Sequence, residues 1–63
     1  MPIVQISMIA GRTPEKKEQL IKKVTDVIVE VLQIPADRVH IVIYDVLEEN
    51  IADGGIPLSK MHR

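Results

Sequence analysis

PIVQISMIAGRTP, residues 2–14, joins a stretch of alternating apolar side chains to a helix start. The stretch is rich in β-branched residues, and its alternation has the period of two that a half-buried strand requires. It therefore predicts a strand from Pro2 to Ala10, which Gly11 ends. One face of this strand is wholly apolar and the other is mixed: Val4, Ile6 and Met8 form the first, and Ile3, Gln5, Ser7 and Ile9 form the second.

A helix is predicted to follow directly. Thr13 suits the N-cap, Pro14 suits the first helical position, and the Glu15 carboxylate is favoured by the positive end of the helix dipole. Pro35 stops the helix, because a proline disfavours helical geometry in the residue before it. Charged side chains such as Lys17 should form the solvated side. The apolar residues that recur at helical spacing should form the core face: Leu20, Val24, Val27, Ile28 and Val31.

A second strand is predicted from about Val39 to Val46, where β-branched residues alternate again. Strand, helix and strand in this order form a β-α-β unit, whose strands are parallel and whose crossover is right-handed. The helix covers one face of this two-stranded sheet. The other face has apolar side chains that no remaining segment of the chain covers: Ile3, Ile9, Val42 and Tyr44.

The segment from Glu48 to Arg63 carries the pair Gly54-Gly55 between apolar residues. Two glycines permit the positive φ angles of a tight turn or hairpin. The tail is too apolar for a free segment and should lie on a neighbouring subunit. The predicted fold class is α+β, a single domain over residues 1–63. It consists of a short β-α-β subunit with a C-terminal hairpin or turn, assembled into an oligomer through shared sheets.

Size and composition also point to self-association. A chain of 63 residues buries only about 60% of its unfolded surface, and small domains usually add disulfides, metal ions or partner chains. There is no cysteine, and His40 and His62 fit no metal-ligand spacing, so neither disulfides nor metal sites are expected. Because 46% of the residues are hydrophobic, we expect several copies to share one core.

Charge and hydropathy exclude several classes of function. The net charge is −1 and Tyr44 is the only aromatic residue, which argues against nucleic-acid binding. No apolar run approaches the roughly 20 residues of a membrane span, so no membrane partner is expected. No basic segment followed by an apolar one marks a secretory signal, and the expected location is the cytoplasm.

Pro2 directly follows Met1 and is a candidate acid–base group. A small second residue permits removal of the initiator methionine, which leaves a free prolyl amine. α-Amino groups titrate near neutrality, and an apolar pocket lowers the pKa of an amine because it disfavours the charged form. Such a group suits general acid–base catalysis. Taken alone, the dipeptide is better explained as a stiff start to a strand.

The order of the motifs is specific: Pro-Ile-Val-Gln-Ile at residues 2–6, Gly11-Arg12-Thr13, the amphipathic helix with Leu20-Ile21, the strand from Val39 to Asp45, and Gly54-Gly55. Together they resemble the 4-oxalocrotonate tautomerase family over essentially the whole chain. The resemblance implies β-α-β subunits assembled as homohexamers, and an isomerase of aromatic hydrocarbon catabolism. Such an enzyme moves a proton in unsaturated 2-hydroxy acids such as 2-hydroxymuconate. It also implies a small-molecule carboxylate as substrate, and no metal ion or organic cofactor.

The resemblance assigns the site residues. Pro2 is the catalytic base that takes the proton and returns it, and Arg12 is the cation that holds a substrate carboxylate. Ile51 stands where the family has a pocket phenylalanine and keeps that wall apolar. His40 stands where the family has a second arginine. Arg38 reaches the same face, about 7 Å away, if the strand is regular.

Two alternatives stay open for the second cation. Either His40 or Arg38 replaces it, or His40 is an interface residue and Arg38 a solvated charge at the strand entry. A substrate with fewer carboxylates, or another dienol, would need fewer cations. Two other functions fit the same fold: hydration of a halogenated acrylate, for which the acidic candidates are Glu48, Glu49 and Asp53, and a non-catalytic binding module.

Overall fold

The computed structural model describes residues 1–61 and confirms the α+β fold class. His62, which fits no metal-ligand spacing in the sequence, and Arg63 lie outside the described residues. The regular elements of residues 1–61 are β1 (Ile3–Ile9), α1 (Pro14–Leu32), β2 (His40–Val46), β3 (Ala52–Asp53) and β4 (Ile56–Pro57). They are accompanied by 3-10 turns at Ala36–Arg38, Glu48–Asn50 and Leu58–Lys60.

β1 and β2 pair in parallel, with Ile3 opposite His40. Two backbone hydrogen bonds extend the pairing beyond the ends of β1. The N–H of His40 donates to the carbonyl oxygen of Pro2 (3.1 Å), and the N–H of Ala10 donates to the carbonyl oxygen of Val46 (2.9 Å). Both predicted strands are therefore confirmed to within one residue at each end.

α1 begins as the sequence predicts. The Thr13 hydroxyl oxygen accepts a hydrogen bond from the backbone N–H of Lys16 (3.2 Å), and Pro14 occupies the first turn. The helix ends at Leu32, before Pro35, because Gln33 adopts a left-handed conformation with φ 55°. No helix within residues 1–61 combines the length and the apolar character that a bilayer crossing requires.

Replacing Gln33 by glycine should stabilise the chain. A left-handed conformation costs a residue with a Cβ atom roughly 1–2 kcal/mol, and glycine escapes most of this cost. We expect Gln33→Gly to raise the free energy of unfolding by about 1 kcal/mol, measured by urea denaturation at fixed protein concentration. The matched variant Gln19→Gly, in the interior of α1, should lower it by about 1 kcal/mol. Equal destabilisation by both changes would contradict the assignment of the helix end.

The core lies between α1 and one face of the β1–β2 sheet. Half-buried side chains alternate along both strands, and no residue of the range 1–61 is fully buried. The predicted helix stripe is only partly correct. Leu20, Val24 and Ile28 are half-buried, whereas Val27 and Val31 are exposed. A sheet of two strands is too narrow to cover the whole apolar width of a long helix.

The subunit is elongated. Its Cα radius of gyration is 14.9 Å and its principal extents are 43 × 24 × 16 Å. A compact chain of this length would have a radius of gyration of about 11 Å. Large apolar side chains remain exposed on the sheet face away from α1 and on the helix itself. This shape and surface belong to a subunit that completes its core against other chains.

The uncovered sheet face differs from the prediction at one position. Ile3, Val42 and Tyr44 are exposed, as expected. Ile9 was predicted to be equally uncovered and this is wrong: it is half-buried, because the chain's own tail folds back beside it. Ile9 lines a cavity of about 220 Å³ together with three residues of the tail: Glu48, Leu58 and Met61.

The predicted hairpin is confirmed. β3 and β4 pair antiparallel around Gly54 and Gly55, whose φ angles are 59° and 85°. Positive φ at both central residues is the geometry of a tight two-residue hairpin turn, and glycine adopts it without steric cost. The N–H of Leu58 then donates to the carbonyl oxygen of Ile51 (2.8 Å). This bond closes the hairpin segment onto itself.

Candidate active site

The amino-terminal edge of the sheet holds Pro2 and His40. Pro2 is half-buried, and the hydrogen bond from His40 holds its carbonyl group against β2. The His40 side chain is exposed and forms no hydrogen bond or ion pair with the rest of residues 1–61. A sequence-predicted base and a second titratable residue are therefore neighbours in one chain.

Arg38 does not occupy a strand position. It ends the 3-10 turn Ala36–Arg38, and its backbone N–H donates to the carbonyl oxygen of Pro35 (3.0 Å). The expectation that Arg38 shares a face with His40 required a regular strand through both residues. Because β2 begins only at His40, that condition is not met.

The carboxyl-terminal edge of the sheet holds Arg12 and Ile51. Gly11 has φ 121°, a conformation that favours glycine, and it turns the chain out of β1. Arg12 follows it, exposed, and its guanidinium makes no hydrogen bond or ion pair with the described part of the chain. Ile51, 37% exposed, lies near this edge because its carbonyl group binds Leu58, which lines the cavity beside Ile9.

One chain does not bring Pro2 and Arg12 together. The strands are parallel, so the amino-terminal ends of β1 and β2 share one edge and their carboxyl-terminal ends share the other. At about 3.3 Å per residue, β1 separates Pro2 from Ala10 by about 26 Å. The predicted site is thus divided into two halves: Pro2 with His40 at one edge, and Arg12 with Ile51 at the other.

Lys17 was predicted to face solvent, and this is wrong. Its ammonium group contacts Oδ2 of Asp45 at 2.5 Å, which joins the first turns of α1 to the end of β2. The Lys17 side chain is half-buried. The spacing of Lys17 from Leu20 and Val24 could have shown that Lys17 lies on the apolar side of the helix, but not that Asp45 is its partner.

Two cavities lie away from the predicted site residues. The cavity of about 220 Å³ contains the Glu48 side chain among apolar neighbours, which the sequence did not predict. A larger groove of about 710 Å³ is lined by α1 alone, between Glu15 and Thr25. Neither cavity is lined by Pro2 or Arg12. Within residues 1–61, no three His, Asp or Glu side chains are grouped as metal ligands.

A family profile described as "Tautomerase enzyme" matches residues 2–61. The 2-hydroxymuconate tautomerase of Pseudomonas sp. (strain CF600) is 40% identical over 63 residues, which is 100% of both chains.

Solved structures agree with this match. A 4-oxalocrotonate tautomerase isozyme structure from Methylibium petroleiphilum is 39% identical, with a TM-score of 0.90 over 98% of this chain and 100% of that chain. A heterohexamer 4-oxalocrotonate tautomerase from Chloroflexus aurantiacus J-10-fl has a TM-score of 0.90 over 98% and 100% of the two chains. At 24% identity, that second likeness concerns the fold alone. Matched along nearly its whole length, this chain belongs to the tautomerase family of isomerases.

Proposed function

We propose that the chain is an enol–keto tautomerase for an unsaturated 2-hydroxy or 2-oxo acid of the 2-hydroxymuconate type, with the amine of Pro2 as base and acid. A full-length relative named 2-hydroxymuconate tautomerase, 40% identical, supports this substrate class. The structural observation that carries the proposal is the position of Pro2, half-buried at the start of β1 and tied to β2 through its carbonyl group. A terminal residue held in this way keeps its nitrogen in a fixed place for proton transfer.

The reaction requires removal of Met1. While Met1 is attached, the Pro2 nitrogen is an amide without useful basicity, and after its removal the nitrogen is a secondary amine. Met1 is 81% exposed, so the bond that must be cut is accessible. The neutral amine takes the proton of the 2-hydroxyl group, the carbonyl group forms as electron pairs shift along the conjugated chain, and the prolinium returns the proton to a distal carbon. The step is an isomerisation because the proton taken is given back.

Arg12 supplies the positive charge for the substrate carboxylate. Negative charge grows on the conjugated oxygen and carboxylate as the proton leaves, so a nearby cation stabilises the transition state more than the ground state. The guanidinium of Arg12 is exposed and has no partner among residues 1–61, so it is available for this contact. Because Pro2 and Arg12 lie at opposite edges of one sheet, we infer that each site takes them from different subunits.

Self-association is supported by the subunit itself. Ile3 is 64% exposed and Val31 is 72% exposed, and no residue of 1–61 is fully buried. A surface this apolar on so small a chain marks an interface between copies. The Chloroflexus aurantiacus neighbour of the same fold is described as a heterohexamer. A homo-oligomer, in the form of a hexamer, is the assembly that we propose for this chain.

His40 decides which acids the site accepts. It is the exposed side chain next to Pro2 in the β1–β2 register, and Arg38 is displaced into the preceding turn. An arginine offers a permanent charge and paired donors to a carboxylate, whereas histidine offers fewer donors and a charge that depends on pH. We therefore propose that this enzyme favours a substrate with one carboxylate over a dicarboxylate.

Replacing His40 by arginine should shift this preference. We expect His40→Arg to raise kcat/KM for a 2-hydroxy dicarboxylate about tenfold, the value of one charge-assisted hydrogen bond, with little change for the matching monocarboxylate. The neutral variant His40→Gln should give no such gain. The measurement is a pair of steady-state ketonisation assays on substrates that differ only in the second carboxylate. Equal gains on both substrates would show that His40 does not select the acid.

Hydration of a halogenated acrylate is the second candidate, and one observation favours it. Of the acidic residues that could activate water, Glu48 lines the cavity that also borders Ile9, near the same sheet edge as Arg12. Product analysis separates the two reactions. Formation of a keto isomer from a 2-hydroxydienoate supports the tautomerase proposal. Halide release from a 3-haloacrylate at a higher kcat/KM would instead identify the chain as a hydratase of halogenated acrylates. The non-catalytic interpretation is not retained, because the chain belongs to a family of isomerases.

A further inference from the structure

The loop between β1 and α1, which carries Arg12, is attached at both ends to neighbouring residues of β2. On the strand side, the N–H of Ala10 donates to the carbonyl oxygen of Val46 (2.9 Å). On the helix side, Lys17 contacts the carboxylate of Asp45, the residue before Val46 (2.5 Å). The chain between these two attachments contains the Gly11 turn and Arg12 itself.

The helix end of this loop is also held by hydrogen bonds to the first turn of α1. The backbone N–H of Lys17 donates to the carbonyl oxygen of Thr13 (3.1 Å), and the Thr13 hydroxyl caps the helix. Lys17 is thus bonded through its backbone to the end of the connection and through its side chain to Asp45. Movement of the first helical turn away from β2 would break the ion pair and carry Thr13 with it.

We propose that the Lys17–Asp45 ion pair is a positioning device that holds the Arg12 segment in the orientation needed to receive a substrate carboxylate. The inference rests on the proposed function, because it assigns a support to the cation of that site. Lys17 and Asp45 are positioning residues and do not touch substrate. Displacement of a binding group by about 1 Å is sufficient to cost two orders of magnitude in rate, so a small rotation of the segment has a large effect.

A second ion pair on the same helix provides the matched control. Lys22 contacts Asp26 at 2.7 Å, one helical turn apart, and both side chains are more exposed than the first pair. Pairs of this kind contribute little to stability. The Lys22–Asp26 pair joins no second element to the helix, so its loss leaves the Arg12 connection attached to β2.

The test is a double-mutant cycle on kcat/KM for a 2-hydroxydienoate, with Met1 removed from every variant. We expect Lys17→Met to lower kcat/KM about tenfold in the chain with Arg12, mainly through KM, and to have no effect when Arg12→Ala is already present. Lys17→Arg, which keeps the cation, should restore activity to within about twofold of the original chain. Lys22→Met should leave kcat/KM unchanged.

Amide hydrogen exchange provides a readout that does not depend on activity. Exchange at the amides of Ala10 and Lys16, which are hydrogen-bonded at the two ends of this loop, should be faster in Lys17→Met and unchanged in Lys22→Met. An equal loss of kcat/KM in both Arg12 backgrounds, or unchanged exchange, would overturn the positioning role. If Arg12→Ala itself leaves kcat/KM unchanged, the fault lies with the proposed role of Arg12 in the site, and the positioning role falls with it.

Discussion

Protein that retains Met1 should ketonise a 2-hydroxydienoate about 10²–10⁴-fold more slowly than protein from which Met1 has been removed, the usual contribution of a positioned acid–base group. The reason is chemical: the Pro2 nitrogen becomes basic only when its peptide bond to Met1 is cut. Mass spectrometry assigns the amino terminus of each preparation, and the rate of ketonisation is followed by ultraviolet absorbance. Treatment of the retained form with methionine aminopeptidase should restore the rate in the same sample.

A matched variant separates the amine from the proline ring. Pro2→Ala, processed in the same way, keeps an amino-terminal nitrogen but loses the ring, and its loss of activity should lie at the lower end of the same range, about 100-fold. Full activity in the blocked chain would rule out the amine as the base. The family assignment would survive that result, since it rests on matches over the whole chain.

Mixing two inactive variants should recover activity. Pro2→Ala and Arg12→Ala each damage one half of the site, and one subunit holds these halves at opposite edges of its sheet. If a site takes Pro2 from one copy and Arg12 from another, random reassembly of equal amounts leaves roughly one quarter of the sites intact. We therefore expect each variant alone to lose at least about 100-fold in kcat/KM and the mixture to recover roughly a quarter of the original activity.

The double variant, with both substitutions in every copy, is the control for this experiment. Taken through the same unfolding and reassembly, it should stay inactive, because no combination of its copies restores a site. Absence of recovery in the mixture, with mass spectrometry showing mixed oligomers, would mean that one chain supplies both residues. The parallel register of β1 and β2 would then have to be abandoned.

The elements of the fold could be predicted because each has a local cause. The strand from Pro2 to Ala10 follows from strict alternation, and the start of α1 follows from Thr13 and Pro14. The hairpin follows from Gly54 and Gly55, which alone provide two positive φ angles without strain. These signals act over a few residues and are visible in the sequence.

The errors concern long-range contacts. The exposure of Val27 and Val31 depends on how wide the sheet is, and the covering of Ile9 depends on where the tail returns. Helical spacing marks both valines as core-facing whatever lies opposite them. The link from Lys17 to Asp45 spans α1 and β2, and periodicity within the helix does not name its partner.

The sequence predicted which residues form the candidate site but not how they are arranged in space. The chemistry of a free prolyl amine pointed to Pro2, and the family resemblance added Arg12, His40 and Ile51, with Arg38 as an alternative cation; these roles remain proposals. The parallel order of the strands, itself predicted, already separates Pro2 from Arg12, and the register gives the separation its length. Which copies meet at one site depends on surfaces such as those around Ile3 and Tyr44, which are exposed in the single chain.

The absence of any fully buried residue in the range 1–61 has a consequence for how this enzyme is made and used. If this chain completes its half-buried core only by assembling with other copies, then its folding, its assembly and its activity all depend on the same cellular concentration. Chains made in small amounts would be degraded by proteases before they assemble. A burst of expression would therefore raise catalytic activity more steeply than in proportion to the amount of protein.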